Sequence, residues 1–186
     1  MSTARHHAEW LSLVEASGPF LSLPVLLRVF PNGLDAHDPE HLKLLRLAYE
    51  EWQDNQLGVK PEPAIHRAWV EFVLRQTLEF PDEVLLIGQR ISTGLHATIA
   101  EQGEILRPDW VVVEPDGKKP GLLVQIVPPG QNLEKPLANH RWKASPATRM
   151  MELLHACDVR LGLVTNGEHW MLVNAPRGET TGFISW

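Results

Sequence analysis

The chain has 186 residues, of which 44% are hydrophobic and 22% are charged, and its formal net charge is −6. This composition is ordinary for a globular protein, and the acidic balance does not match a stand-alone DNA-binding module with a basic face. The apolar runs are too short to span a bilayer and the single cysteine excludes an internal disulfide, so we expect a cytoplasmic protein with no membrane partner.

The first sixty residues are predicted to be helical. A short helix is expected over Ala8–Ala16. A longer helix is expected from Asp38-Pro39, because an acid that caps the helix followed by proline at the first helical position is a typical start, and it should end before Gly58. We therefore divide the chain into a helical N-terminal extension, 1–60, and a second unit, 61–186.

The second unit is predicted to be mixed α/β or α+β, with a sheet flanked by helices. Helices are expected from about Ala64 to Leu78 and from Ser145-Pro146 to about Ala156. The segments with strand patterns are Val84–Ile87, Leu95–Glu101, Trp110–Glu114, Gly121–Val127, Arg160–Thr165, His169–Asn174 and Thr181–Ser185. The strand after Gly121, the helix after Ser145 and the strand after Arg160 fit one crossover unit, which would be right-handed if its strands are parallel.

Two turns are predicted within the sheet. Asn166-Gly167 is a strong two-residue hairpin signal between adjacent strand patterns. Asp116-Gly117 lies between the strands that begin near Trp110 and Gly121. If those two strands pair antiparallel about that turn, position 109 lies opposite position 125 or its neighbour.

This register brings Asp109 and Gln125 together. Side chains opposite each other on paired strands have their Cβ atoms about 5 Å apart, a distance at which two oxygens can share a hard cation such as Mg²⁺. Val127 should point to the same face as Gln125, because side chains alternate along a strand. Asp109 has a second possible role, which is to accept backbone hydrogen bonds at the entrance of its strand.

The layout resembles the PD-(D/E)xK nuclease superfamily. It is most similar to the N-terminal region of large bacterial restriction-modification methyltransferases, including fused type II enzymes and the methylases of DISARM-like and BREX-like anti-phage systems. The similarity covers roughly residues 64–186 and is carried by the segments Arg107-Pro108-Asp109, Leu122–Val127, Ser145–Arg149 and Gly162–Trp170. It implies a restriction-endonuclease-like sheet and, for an intact site, Mg²⁺-dependent cleavage of DNA.

Only Asp109 matches an active-site acid of this superfamily. Gln125 stands where the superfamily has Glu or Asp, and an amide oxygen binds a metal without negative charge. Val127 stands where the superfamily has a lysine that orients water and stabilises transition-state charge, and a valine does neither. An active variant would need another acid from a preceding helix and a migrated lysine; the available candidates are Glu71 or Glu79, and Lys135 or Lys143.

Three functions follow as hypotheses. The favoured one is a non-catalytic nuclease-like module of a DNA adenine methyltransferase in a restriction or defence system, making contacts with DNA or with other domains and subunits. The second is an atypical Mg²⁺-dependent endonuclease that uses Asp109, Gln125 and Glu71. The third is a small inhibitor or adaptor acting alone. Candidate DNA-contacting residues are Arg107, Lys118, Lys119 and Lys143.

The chain carries neither a glycine-rich phosphate loop nor the catalytic motif of adenine methylases. The resemblance therefore places S-adenosylmethionine binding in a downstream domain. The chain, whose last residue is Trp186, is expected to be a fragment of a longer protein. His37 and His41 have the spacing of a zinc pair on a helix, but Pro39 places His37 before the helix, which disfavours a metal site.

Overall fold

The structure is a computed structural model, and it describes residues 2–18, 20–35, 38–117, 119–138 and 140–186. It is an α+β protein, as predicted. The helices are α1 Thr3–Leu11, α2 Leu23–Val29, α3 Pro39–Leu57, α4 Pro63–Phe72, which runs on into a π-helical turn over Val73–Thr77, and α5 Pro146–Cys157. No helix of the described ranges is long and apolar enough to cross a membrane.

Nine strands form two sheets in the described part of the chain. The strands are β1 Glu15–Ser17, β2 Leu85–Ile87, β3 Ala97–Ile99, β4 Glu104–Leu106, β5 Trp110–Val113, β6 Pro120–Ile126, β7 Leu161–Thr165, β8 Trp170–Asn174 and β9 Gly182–Ser185. The large sheet has the order β1-β9-β8-β7-β6-β5-β2, and β3 and β4 form a separate hairpin. Only β6 and β7 pair in parallel, through the crossover helix α5 that the sequence predicted.

The predicted register between β5 and β6 is confirmed. Trp110 pairs with Val124 and Val111 with Leu123, so the next positions outward on the two strands are Asp109 and Gln125. The backbone N–H of Asp109 donates to the carbonyl of Val124 at 2.8 Å, which extends the ladder to the predicted position.

The large sheet separates two apolar cores. On one face, α5 packs on Val111, Leu123 and Val164. On the other face, α3 and α4 pack with two tryptophans, Trp52 and Trp69, against the sheet. Because the two sets of strand residues alternate along β5, β6 and β7, each central strand is apolar on both faces, as expected for strands covered by helices on both sides.

The N-terminal segment differs from its predicted helix. The helix begins at Thr3 and not Ala8, because the Ser2 hydroxyl accepts a hydrogen bond from the backbone of Arg5 and caps it. It ends at Leu11, and Glu15–Ser17 pairs as an edge strand with β9. All three residues of this strand are exposed, so no alternation of apolar residues marked it in the sequence. The division of the chain at residue 60 stays a prediction.

Two strand-level predictions also need correction. Leu95–Glu101 contains only the three-residue strand β3, which is followed by a 3₁₀ turn and the unpredicted β4. The turn between β7 and β8 has four residues, not two. The Asn166 side-chain oxygen accepts hydrogen bonds from the backbone N–H groups of Glu168 and His169, at 2.9 and 2.7 Å, and this Asx turn replaces the two-residue hairpin.

Candidate functional site

Asp109 lies at the end of β5, where its carboxylate closes the gap between β5 and β6. Oδ2 accepts a hydrogen bond from the backbone N–H of Ile126 at 2.8 Å. The second role that the sequence left open for Asp109, that of an acceptor for backbone donors at a strand entrance, is therefore confirmed. The other carboxylate oxygen, Oδ1, faces the guanidinium of Arg67.

The charge of Asp109 is only partly compensated. Its side chain is 28% exposed, and Oδ1 lies 3.5 Å from Nη2 of Arg67, whose own side chain is 66% exposed. Burial raises the pKa of Asp109, although the Ile126 N–H and the Arg67 charge act in the opposite direction. A partly buried carboxylate whose ionised form is disfavoured, located in a depression, has the character of a functional-site residue.

Gln125 and Asp109 line the same depression, as the register predicted. The amide nitrogen of Gln125, Nε2, donates to the backbone carbonyl of Arg107 at 3.3 Å. Val127, two residues on, packs against the apolar core under α5. Gln125 and Val127 therefore make a hydrogen bond to the backbone and an apolar contact, respectively.

The depression also contains an arginine that sequence reasoning did not select. It has a volume of about 470 Å³, and Arg149 and His140 line it together with Asp109 and Gln125. Arg149 is 8% exposed and comes from the start of α5. The only signal in the sequence was its position at the end of the Ser145–Arg149 segment that carries the resemblance.

Glu104 binds Arg149. Nη2 of Arg149 donates to Oε2 of Glu104 at 2.5 Å, and the other oxygen of Glu104 accepts from the backbone N–H of Trp142 at 3.0 Å. The Arg149 guanidinium also lies over the Trp142 ring, 5.3 Å from its centroid. The Trp142 N–H, followed by Arg149, lowers the pKa of Glu104. Nη1 of Arg149 is buried and has no hydrogen-bond partner within the described residues.

The additional acids predicted for an active site lie elsewhere or are already paired. Glu71 lines a second depression that also reaches Asp109, but its carboxylate accepts a hydrogen bond from Arg75 at 2.8 Å. Glu79 has a left-handed backbone, with φ of 53°, and its Oε1 lies 3.9 Å from the imidazole Nδ1 of His41. Glu71 is thus the nearer acid, held by a cation of its own helix.

The predicted lysines are not brought to Asp109. Lys143 donates to the carbonyl of Ala138, and among the lysines that the structure describes none forms an ion pair with Asp109. Lys119 is exposed at the β5–β6 turn, while Lys118 lies outside the described residues. Arg107 is exposed and donates to the carbonyl of Thr93 at 3.2 Å.

His66 of α4 connects the helical layer to the end of β6. Its Nδ1 accepts from Nε1 of Trp52 at 3.0 Å, so Nε2 carries the proton and donates to the carbonyl of Val127 at 3.0 Å. Burial is the main cause that lowers the pKa of His66. The histidines looked scattered in the sequence, because the partners of His66 are 14 and 61 residues away.

Metal ligation was also predicted for the Asp109–Gln125 pair. Across residues 2–18, 20–35, 38–117, 119–138 and 140–186, no group of three or more His, Cys, Asp or Glu side chains is placed to hold a metal ion. The His37–His41 pair cannot be judged as a whole, since His37 is outside the described residues.

No family model matches the chain, and neither the curated proteins nor the solved structures contain a significant match to it.

Proposed function

We propose that this chain is a non-catalytic, nuclease-like module of a DNA methyltransferase in a restriction-modification or anti-phage defence system, where it contacts DNA or other subunits. The observation that carries the proposal is the pair Gln125 and Val127. Both lie at the positions where a nuclease of this type has its second acid and its lysine, and both are committed to structural contacts.

Gln125 in place of an acid lowers the affinity that a cleavage site would have for Mg²⁺. Mg²⁺ is a hard cation that binds carboxylates, and a two-residue site with one neutral amide has half the negative charge of an acid pair. The Gln125 amide nitrogen already donates to the carbonyl of Arg107, which lies across from it on the chain leading into β5. One carboxylate oxygen of Asp109 already accepts a hydrogen bond from the Ile126 N–H.

The lysine of a cleavage site, which would orient water and stabilise transition-state charge, is replaced here by Val127. A lysine there would present an ammonium beside Asp109, whereas Val127 packs into the core. Among the described residues that line the depression, the permanent cation is Arg149, and it is bound by Glu104. With Val127 at this position, the described lining of the depression has no lysine that could assist hydrolysis.

Contacts with DNA would use exposed basic groups outside the depression. Arg107 and Lys119 are exposed near the two ends of the β5–β6 hairpin, and Lys143 lies in the loop before α5. With a net charge of −6 for the whole chain, such binding would be weak and salt-sensitive. S-adenosylmethionine is assigned to a separate methylase domain, and a cytoplasmic location follows from the proposed role.

A cleavage assay tests the catalytic part of the proposal. The purified chain is incubated with supercoiled plasmid and Mg²⁺ or Mn²⁺, beside the Asp109→Ala variant. We expect both proteins to leave the plasmid intact. Metal-dependent nicking by the wild type that is lost in Asp109→Ala would overturn the non-catalytic assignment.

A binding assay tests the DNA part separately. Fluorescence anisotropy with a labelled duplex at low salt should show weak binding, and the double change Arg107→Ala with Lys119→Ala should lower the slope of affinity against salt by about 2, one for each phosphate contact. The exposed Lys60→Ala serves as the control. If wild type and variant bind alike, these residues are not the contact surface and subunit contact becomes the better role.

A second candidate function is an atypical Mg²⁺-dependent endonuclease. The observation in its favour is that Asp109, Gln125 and Arg149 line one depression and that Glu71 lies in the adjoining one. It predicts activity that depends on both Asp109 and Glu71. Replacing Gln125 by Glu should increase that activity, because it restores the second negative ligand, whereas a non-catalytic module would gain nothing from this single change.

A further inference from the structure

A separate cavity lies on the face of the sheet that α3 and α4 cover, and among the described residues it shares no lining residue with the depression at Asp109. Its volume is about 430 Å³, within the range of small-molecule sites. It lies between α3, the π-helical turn that follows α4, and β8 with the turn before it. We call it the aromatic cavity, because four of its lining side chains are Tyr49, Trp69, Trp170 and Trp186.

The aromatic cavity is apolar from its floor to its rim. Trp69 and Trp170 are each 6% exposed and belong to the buried core under α3 and α4. Leu42, Leu78 and Trp186 line the same cavity and are 41%, 44% and 49% exposed. Large apolar side chains that remain at the surface around an apolar hollow favour a ligand with an apolar body.

The wall of the aromatic cavity is held in place by contacts within the chain. Nε1 of Trp69 donates to the carbonyl of Gly167 at 2.6 Å. The Trp69 ring meets Tyr49 edge to face, with the centroids 5.6 Å apart, and stacks on Phe72 with the centroids 6.2 Å apart. A ligand would therefore meet an ordered ring, which lowers the entropic cost of binding.

Two opposite charges lie at the rim of the aromatic cavity. Arg46 of α3 and Glu168 of the turn before β8 both line it, and both are exposed. Within the part of the chain that the structure describes, neither forms an ion pair, and they do not pair with each other. Arg46 offers hydrogen-bond donors and Glu168 offers acceptors, so the rim can bind one group of each kind.

The two rim charges decide the class of ligand. A ligand with a single charge would gain one favourable pair and bring a like charge to the other side chain. A neutral apolar ligand would cover both charged groups without replacing the water they lose. We propose that the aromatic cavity binds a free α-amino acid with a large apolar side chain, a ligand additional to the proposed nuclease-like role. Its carboxylate pairs with Arg46, its ammonium with Glu168, and its side chain packs on Trp69 and Trp170.

The exposure of the two charges sets how much each contributes to binding. Arg46 and Glu168 stay partly in water, so each pair with the ligand is weaker than a buried pair. Removing either charge from the ligand should weaken binding about five- to tenfold, as for the loss of a hydrogen bond to a charged group at a wet site. Removing the apolar side chain should weaken binding more, because its burial is the larger contribution.

Nuclear magnetic resonance of the isotopically labelled whole chain tests the proposal, because each tryptophan indole N–H gives its own signal. L-phenylalanine is titrated up to its solubility limit, beside phenethylamine, which lacks the carboxylate, hydrocinnamate, which lacks the ammonium, and L-alanine, which lacks the large side chain. We expect L-phenylalanine to move the indole signals of Trp170 and Trp186. The signal of Trp142, which packs on the other face of the sheet, should stay in place. L-alanine should leave all three signals unmoved.

Two charge-neutralising variants assign each end of the ligand. Arg46→Gln should lower the affinity for L-phenylalanine to that for phenethylamine, and Glu168→Gln should lower it to that for hydrocinnamate. Lys43→Gln and Glu50→Gln, at exposed positions of α3 outside the described lining, are the matched controls. Cavity indole signals that do not respond to L-phenylalanine overturn the proposal. So do variants that bind it like the wild type, or analogues that bind as tightly as L-phenylalanine, which would show an unselective apolar surface suited to a partner's side chain.

Discussion

His66 offers the sharpest test of how the helical layer supports the end of β6. Replacing His66 by alanine removes two hydrogen bonds at once, from Nε1 of Trp52 and to the carbonyl of Val127. Trp52 is 4% exposed, so its N–H would be left buried without an acceptor. Val127 is half-buried, and its carbonyl can recruit water more easily.

The expected loss can be worked from these contacts. An unsatisfied buried polar group costs about 1–3 kcal/mol, and taking about 2 for Trp52 and 1 for Val127 gives a loss of about 3 kcal/mol in the free energy of unfolding. For a chain of this length, that corresponds to a fall of about 6–12 °C in the melting temperature. Urea unfolding at pH 7.5 measures it, with the exposed His6→Ala as the matched control.

The same residue predicts a pH dependence with a definite sign. Because the folded pKa of His66 is lowered below its unfolded value of 6.5, the unfolded chain binds the proton more readily. The stability contributed by neutral His66 is fully present above pH 6.5 and is lost as the pH falls through that value toward the folded pKa. The wild type and His66→Ala should therefore converge between pH 7.5 and pH 5. A gap that stays constant over this range, or an initial loss below about 1 kcal/mol, would refute the hydrogen-bond argument.

Three further predictions concern the site and its surroundings. Asp109→Asn should stabilise the chain at pH 7, because burial raises the pKa of the carboxyl and the amide oxygen can still accept the hydrogen bond from Ile126. The gain in the free energy of unfolding should vanish below about pH 4, where the carboxyl is protonated in both states. Equal urea midpoints of the two proteins at pH 7 would contradict this prediction. Glu104→Gln should lower the free energy of unfolding by about 3 kcal/mol at neutral pH, because it removes the negative charge that pairs with the buried Arg149. Since the pKa of Glu104 is lowered in the folded chain, the stability difference between wild type and variant should shrink as the pH falls through that pKa. Gly167→Ala should cost about 2–4 kcal/mol, because its φ is 90° and an added Cβ lies 2.9 Å from two aromatic rings; thermal unfolding measures it, and a shift under 2 °C would show that the rings can move aside.

The core strands could be predicted because each is an apolar run bounded by a turn signal. β5, β6 and the helix α5 were predicted to within one or two residues, since Asp116-Gly117 and Ser145-Pro146 are local signals. The pairing of Asp109 with Gln125 followed from the turn, because register is set by the residue at which the chain reverses. β1 and β4 were not predicted, because each is short and begins with a glutamate, so neither stands out as an apolar run.

The charged partners around the site could not be predicted, because they depend on contacts distant in sequence. Glu104 and Arg149 are 45 residues apart and come from the small hairpin and the crossover helix. Arg67 reaches Asp109 from the opposite helical layer. Local propensity contains no information about which helix end meets which strand end. Asp109 could therefore be identified from the sequence, whereas Arg67 and Arg149 could not.

The cations around the depression also bear on why Asp109 is there at all. A carboxylate needed only to accept the Ile126 N–H could be replaced by asparagine, which does so without a charge, and burial raises the pKa of Asp109, so its ionised form is disfavoured in the folded chain. Its nearest cation, Arg67, is mostly exposed and so contributes little to stability. Folding alone therefore does not account for a charged residue at this position. A contact with a cationic or hydrogen-bond-donating partner would account for it better, and such a contact agrees with the proposed non-catalytic role.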